Sequence, residues 1–149
     1  METGSPAESY AFDREKRFKA LENSALANII GISIFAVTKD NFVLFVRQSQ
    51  GNSVSPGAFA SSGSGSLEYR DLQRLIRARN FRDSDFHLAD LILTGMFREM
   101  CEESGVLDSE IVRETARITS YFRWISRAAK PEFTGIVKLR CTFADLQKR

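Results

Sequence analysis

The segment from Phe86 to Ser104 constrains this chain more than any other. Leu88, Ile92, Met96 and Met100, with Leu93 and Phe97 beside them, recur at helical spacing and form a wide apolar face that must be buried. Ser84 and Asp85 offer an N-cap and Gly105 a left-handed C-cap, so the pattern predicts a helix over 86–104. Its last turns carry Glu99, Glu102 and Glu103 at i, i+3 and i+4, which puts three carboxylates on one strip. The strip of Ile92, Met96 and Met100 would anchor the helix to the core, and a helix held that way positions its polar groups accurately.

The rest of the chain supplies the layer this helix needs. Asp13 to Ala27 reads as a charged helix behind a polar N-terminal tail. Ile29 to Thr38 is rich in Ile, Phe and Val and reads as a strand. Lys39-Asp40-Asn41 is a turn, and Phe42 to Arg47 reads as the second strand of a hairpin, buried on both faces or nearly so. Gln48 to Ser66 is dense in Ser and Gly. A lone hairpin before it could not fold stably, so it reads as an ordered loop packed beside a site rather than a linker. Glu68 to Arg82 looks like a short basic helix. Ile111 to Ile118 is ambiguous between helix and strand, and Ser120 to Ile125 alternates its aromatics. Arg127 to Pro131 reads as a loop, Phe133 to Thr142 as a strand and Phe143 to Arg149 as the start of a closing helix. Strands and helices in alternation point to an α/β domain.

Composition sets the outer limits. A chain of 149 residues suffices for one core, and its 12 phenylalanines predict one rich in Phe. Net charge is +2, which gives no case for a general nucleic-acid or membrane binder. No apolar run approaches the roughly 20 residues that span a bilayer. Cys101 and Cys141 lack a C-x-x-C partner, so a structural zinc site and a disulfide framework are not expected, and a reduced, cytoplasmic setting is.

Taken alone, Glu99, Glu102 and Glu103 read as a solvated acidic helix end. Such crowding destabilises a bare helix, and a divalent cation is one way to offset it. Mg2+ and Mn2+ take hard oxygen ligands, and Mg2+ also binds substrate phosphates. The surrounding residues sharpen this. The run Arg98-Glu99-Met100-Cys101-Glu102-Glu103-Ser104-Gly105-Val106 resembles the second half of the Nudix box, R-E-U-x-E-E-x-G-U, at every fixed position, with U a bulky aliphatic. The first half, G-x5-E, departs from the pattern. Counting back from Arg98 puts Asp90 at the acid and Ser84 at the glycine. Alternatively, Gly65 and Asp71 satisfy G-x5-E with Asp for Glu, and Gly63-Ser64-Gly65-Ser66-Leu67-Glu68 resembles the approach to the box. The second alignment is preferred, because it accounts for both the Gly/Ser segment and an inserted basic helix at about 72–89.

The resemblance implies a Nudix-like α/β/α sandwich with a mixed sheet and a catalytic strand-loop-helix. Residues 1–27 would be tail and helix, and 28–149 the domain. It further implies a pyrophosphohydrolase that cleaves a nucleoside-diphosphate-linked small molecule with Mg2+ or Mn2+. Glu99, Glu102 and Glu103 would bind the ion, one of them also orienting or deprotonating the attacking water, and Glu68 is a further ligand candidate. Arg98 would orient a box carboxylate, Asp71 and Asp90 compete for the missing box acid, and Arg47 and Gly65 are substrate-binding candidates. Homodimers are common among similar proteins. Tyr121, Phe122 and Trp124 could stack on a base, but core packing is the plainer expectation. His87 reads as a helix-start surface residue, Cys101 as core or flank packing, and Glu132 as a speculative base in a loop. The rival reading is a Nudix-fold binding or regulatory module without turnover.

Overall fold

The computed structural model describes residues 15, 17, 29–47, 57–79, 86–127 and 129–148. The helix expected over Asp13–Ala27, the first half of the Gly/Ser segment and the Ser84-Asp85 cap lie outside the described residues. The described elements are β1 (Gly31–Val37), β2 (Val43–Leu44), β3 (Val46–Arg47), β4 (Phe59–Ala60), β5 (Gly63–Ser66), α1 (Tyr69–Arg79), α2 (Leu88–Ser104), β6 (Ile111–Trp124), β7 (Lys130–Leu139) and a single-turn α3 (Phe143–Leu146). The fold is α/β with a mixed sheet.

Strand β1 organises that sheet. It pairs parallel with β7 along its whole length, and β7 pairs antiparallel with the long β6. On its other edge β1 is shared: its first half pairs with β5 and its last two residues with β2, both antiparallel. Side chains alternate along β1 as strand geometry requires. Ile32, Ile34 and Ala36 are sealed on the face that meets α2, and Ser33, Phe35 and Val37 are half-buried on the other.

Helix α2 covers the inner face with Ile92, Met96, Phe97 and Met100. It ends at Gly105, whose φ of 69° lies in the left-handed region expected of such a cap. Its N-cap is His87, an exposed residue with no side-chain cap bond.

The Gly-Ser-Gly-Ser run, read as loop, is strand β5. Gly and Ser are poor strand formers, and tertiary packing explains the outcome. Gly63 and Gly65 face α2, and a methyl group on Gly63 would lie 2.3 Å from the Met100 backbone nitrogen. The strand therefore exists where only bare backbone fits beneath the helix.

Two further expectations are corrected. The hairpin's second strand is neither continuous nor buried: Phe42, Val43 and Phe45 are exposed, and the chain leaves β1 after Leu44 to pair with β4. The Ser62 hydroxyl marks the point of departure. It accepts from Ala36 N–H at 2.7 Å and donates to the Leu44 carbonyl at 2.6 Å, standing between the two strands. Nor is the core Phe-rich. Among the described residues, Phe97 is the phenylalanine in the buried core, which Ile32, Ile34, Ile92, Met96, Met100 and Val137 otherwise fill. The close approach of α2 to the sheet leaves a thin gap that suits slender side chains. At the chain's end, Thr142 and Asp145 cap α3 reciprocally, and Asp40 accepts from Phe143 N–H, tying α3 to the β1–β2 turn.

Candidate functional site

Two of the α2 carboxylates, Glu99 and Glu102, meet one buried cation. Arg98 points from α2 toward the start of α1, and its side chain is 1% exposed. Its Nε donates to Asp71 Oδ1 at 2.7 Å and its Nη2 to Asp71 Oδ2 at 3.0 Å, a bidentate pair with a fully buried carboxylate. Nη2 also donates to the Ser66 carbonyl at 2.9 Å, at the end of β5. Nη1 donates to Glu99 at 2.8 Å and to Glu102 at 3.2 Å, and lies 3.8 Å from Glu68. One guanidinium thereby holds the two helices and β5 in register.

The bonds from Asp71 raise the Arg98 pKa above its ordinary value, against burial and with help from Glu99. Burial pushes the Asp71 carboxyl up, but hydrogen bonds from Arg98 and from the Glu68 N–H outweigh it, and its pKa is lowered. Asp71 and not Asp90 is therefore the acid brought to Arg98. Asp90 lies in the first turn of α2, about 12 Å along the helix axis from Arg98.

The other site residues fall around this hub. Glu103 accepts from Ser64 N–H at 2.7 Å, capping the free edge of β5. Burial raises its pKa; the Ser64 bond opposes this, and the neighbouring Glu99 and Glu102 charges add to it. Gly65, expected at the substrate, gives its open side to Glu99: a methyl group there would lie 2.0 Å from Glu99 Oε1. Arg47 lies in the separate β3–β4 ladder, donating to the Gly57 carbonyl at 3.4 Å, and forms no ion pair with the α2 carboxylates.

Arg70 is the site residue that the sequence does not single out within the basic helix. In the first turn of α1, its Nε lies 2.6 Å from Glu68 and its Nη1 3.2 Å from Glu102. Nothing in the order of residues distinguishes it from Arg74 or Arg77, because its role depends on how α1 lies against α2.

The donor set, four glutamates presenting hard oxygens, suits Mg2+ or Mn2+. Their arrangement is another matter: among the described residues, no three His, Cys, Asp or Glu side chains are grouped so as to hold an ion. Glu68, Glu99 and Glu102 are instead drawn toward Arg98 and Arg70, and Glu103 toward the Ser64 N–H.

Beside Glu102 a cleft of about 1070 Å3 runs between α1 and α2, floored by Leu75, Leu93, Phe97 and Val106, with Arg113 across it. That is ample for a small-molecule ligand. Cys101 lies half-buried on the same side, its thiol pKa raised by burial, and Cys141 is buried in the core; the two do not form a disulfide.

Two minor expectations are revised. Tyr121, Phe122 and Trp124 lie on the exposed surface of β6 rather than in the core, and Arg127 stacks over Trp124 at 4.5 Å. Glu132, expected in a loop, lies in β7. It is buried on the sheet face away from α2, takes a hydrogen bond from Ser33 at 3.2 Å and lies 3.4 Å from Lys130 Nζ.

No family model matches the sequence, and no curated protein matches it. Among solved structures, the chain is similar to the crystal structure of DR0079 from Deinococcus radiodurans. The identity is 14%, over 89% of this chain and 70% of that one, with a TM-score of 0.44. A likeness at that level adds nothing to the case made by the residues themselves.

Proposed function

We propose that this protein is a Nudix-type, metal-dependent pyrophosphohydrolase acting on a nucleoside-diphosphate-linked small molecule. The observation that carries the reading is the bidentate Arg98–Asp71 pair. Arg98 opens the second half of the box-like sequence, and Asp71 closes Gly65-x5-Asp71, the preferred candidate for the first half. The two meet although the intervening segment is far longer than the box allows, which supports reading about 72–89 as an insertion that follows Asp71.

In this reading Glu99, Glu102 and Glu103, with Glu68 as a further donor, would hold Mg2+ or Mn2+. When bound, such an ion polarises a phosphoryl oxygen and lowers the pKa of a coordinated water. Arg98 acts as a positioning residue, because its buried guanidinium fixes the rotamers of Glu99 and Glu102. Gly65 leaves room for Glu99 beneath β5. The cleft beside Glu102 is the space for the organic part of the substrate, and its apolar floor would exclude water from that side.

The test is release of phosphate or nucleotide from a panel of nucleoside-diphosphate compounds, with Mg2+ or Mn2+, with EDTA, and with Glu102→Gln. Turnover that needs the metal and is lost in the variant supports the hydrolase. A second reading, a binding module without turnover, is favoured by one observation: the carboxylates are not gathered for an ion. Ligand binding without hydrolysis or metal uptake would decide for it.

A further inference from the structure

We propose that Arg70 is an internal counter-ion that holds the carboxylate site closed until a divalent cation displaces it. The inference rests on the hydrolase reading and explains why Glu68 and Glu102 are not open to an ion.

Two arginines contact the carboxylates, and they differ in freedom. Arg98 is sealed, and its three nitrogens are committed to Asp71, Ser66, Glu99 and Glu102. It cannot leave without uncovering the buried Asp71 charge. Arg70 stands in the first turn of α1 with 46% of its side chain exposed. It reaches Glu68 at 2.6 and 3.2 Å and Glu102 at 3.2 and 3.4 Å. Glu68 and Glu102 belong to different elements, and their side chains are 47% and 43% exposed. Arg70 is thus the one described cation that bridges two candidate ligands and is free to swing into solvent.

The bridge does what a metal would do for the same oxygens. It screens the repulsion between Glu68 and Glu102, and its fork occupies the gap between them. An ion bridging Glu68 and Glu102 would have to take the gap that the Arg70 fork fills, where its charge and the guanidinium's repel. Ion binding therefore requires Arg70 to leave, and the two half-exposed ion pairs set the cost of its leaving.

The measurement is Mn2+ affinity by calorimetry on the full chain without substrate, comparing wild type, Arg70→Ala and Arg77→Ala. Arg77 is exposed on the same helix, without an ion pair to the carboxylates, and controls for the general loss of a positive charge. Arg70→Ala is expected to bind Mn2+ about three- to tenfold tighter than wild type, the scale of losing two exposed ion pairs. Arg77→Ala is expected to stay near wild type. In the wild-type chain, Mg2+ is expected to shift the Arg70 Nε–H resonance in the NMR spectrum toward that of a solvated arginine, a readout that depends on no variant. Wild-type or weaker affinity in Arg70→Ala, with an unmoved resonance, would overturn the inference and leave the hydrolase reading standing. Absence of metal binding in wild type and variant alike would overturn both.

Discussion

Arg98 grips Asp71 through two parallel hydrogen bonds, 2.7 Å from Nε and 3.0 Å from Nη2, and neither side chain is open to solvent. The pair joins α2 to the start of α1 and orders the carboxylates around it. Breaking it from one side leaves a buried charge uncompensated, so Asp71→Asn or Arg98→Met should each cost about 3–5 kcal/mol. The double variant Asp71→Asn/Arg98→Met should cost clearly less than the sum. Urea denaturation of the four proteins gives the coupling energy, and simple additivity would show that the pair is not a unit.

The same pair predicts a pH dependence of stability. The folded pKa of Asp71 is lowered, so its stabilising contribution is fully present above the ordinary carboxylate range, about 4. It is lost as pH falls through the lower, folded value. Denaturation midpoints measured in EDTA should drop on acidification below about pH 5 in wild type and less steeply in Asp71→Asn. Parallel curves would assign the acid sensitivity elsewhere.

Gly63 and Gly65 should behave differently although they share a strand. A methyl group on Gly63 meets the α2 backbone at Met100, which cannot move aside, so Gly63→Ala should destabilise by about 1–3 kcal/mol. On Gly65 the obstacle is the Glu99 carboxylate, the far end of a flexible side chain. Gly65→Ala should keep most of the stability and lose activity through a displaced Glu99. Thermal melts and turnover measured together separate the two, and equal melting temperatures for both variants would contradict this account.

Ser62→Ala removes a hydroxyl that serves Ala36 N–H and the Leu44 carbonyl at once. The buried amide of Ala36 loses its partner, at a cost of about 1–3 kcal/mol. Hydrogen exchange at Ala36 should accelerate well beyond that at Ile34, and unchanged protection at Ala36 would contradict the bridging role.

What the sequence disclosed follows from how local each signal is. The apolar stripe of Ile92, Met96 and Met100, the cap at Gly105 and the run at β1 depend on their own residues, and all three appear where expected. Strand β5 was not legible, because Gly-Ser-Gly-Ser becomes a strand only where α2 presses on it. The break after Leu44 depends on a hydroxyl from a distant segment. The three glutamates were readable from helical spacing and Asp71 could be named as one of two candidates. Only the fold chooses between Asp71 and Asp90, and only the fold brings Arg70 onto Glu68 and Glu102.

The most direct test of the central claim is hydrolysis of the best substrate from the nucleoside-diphosphate panel in 18O-labelled water with Mg2+, read by 31P NMR and mass spectrometry. The account predicts cleavage of a pyrophosphate linkage, with one 18O in one of the two phosphate-bearing products and none without metal. No cleavage of any panel compound, or label found only in phosphate released from a monoester, would contradict it.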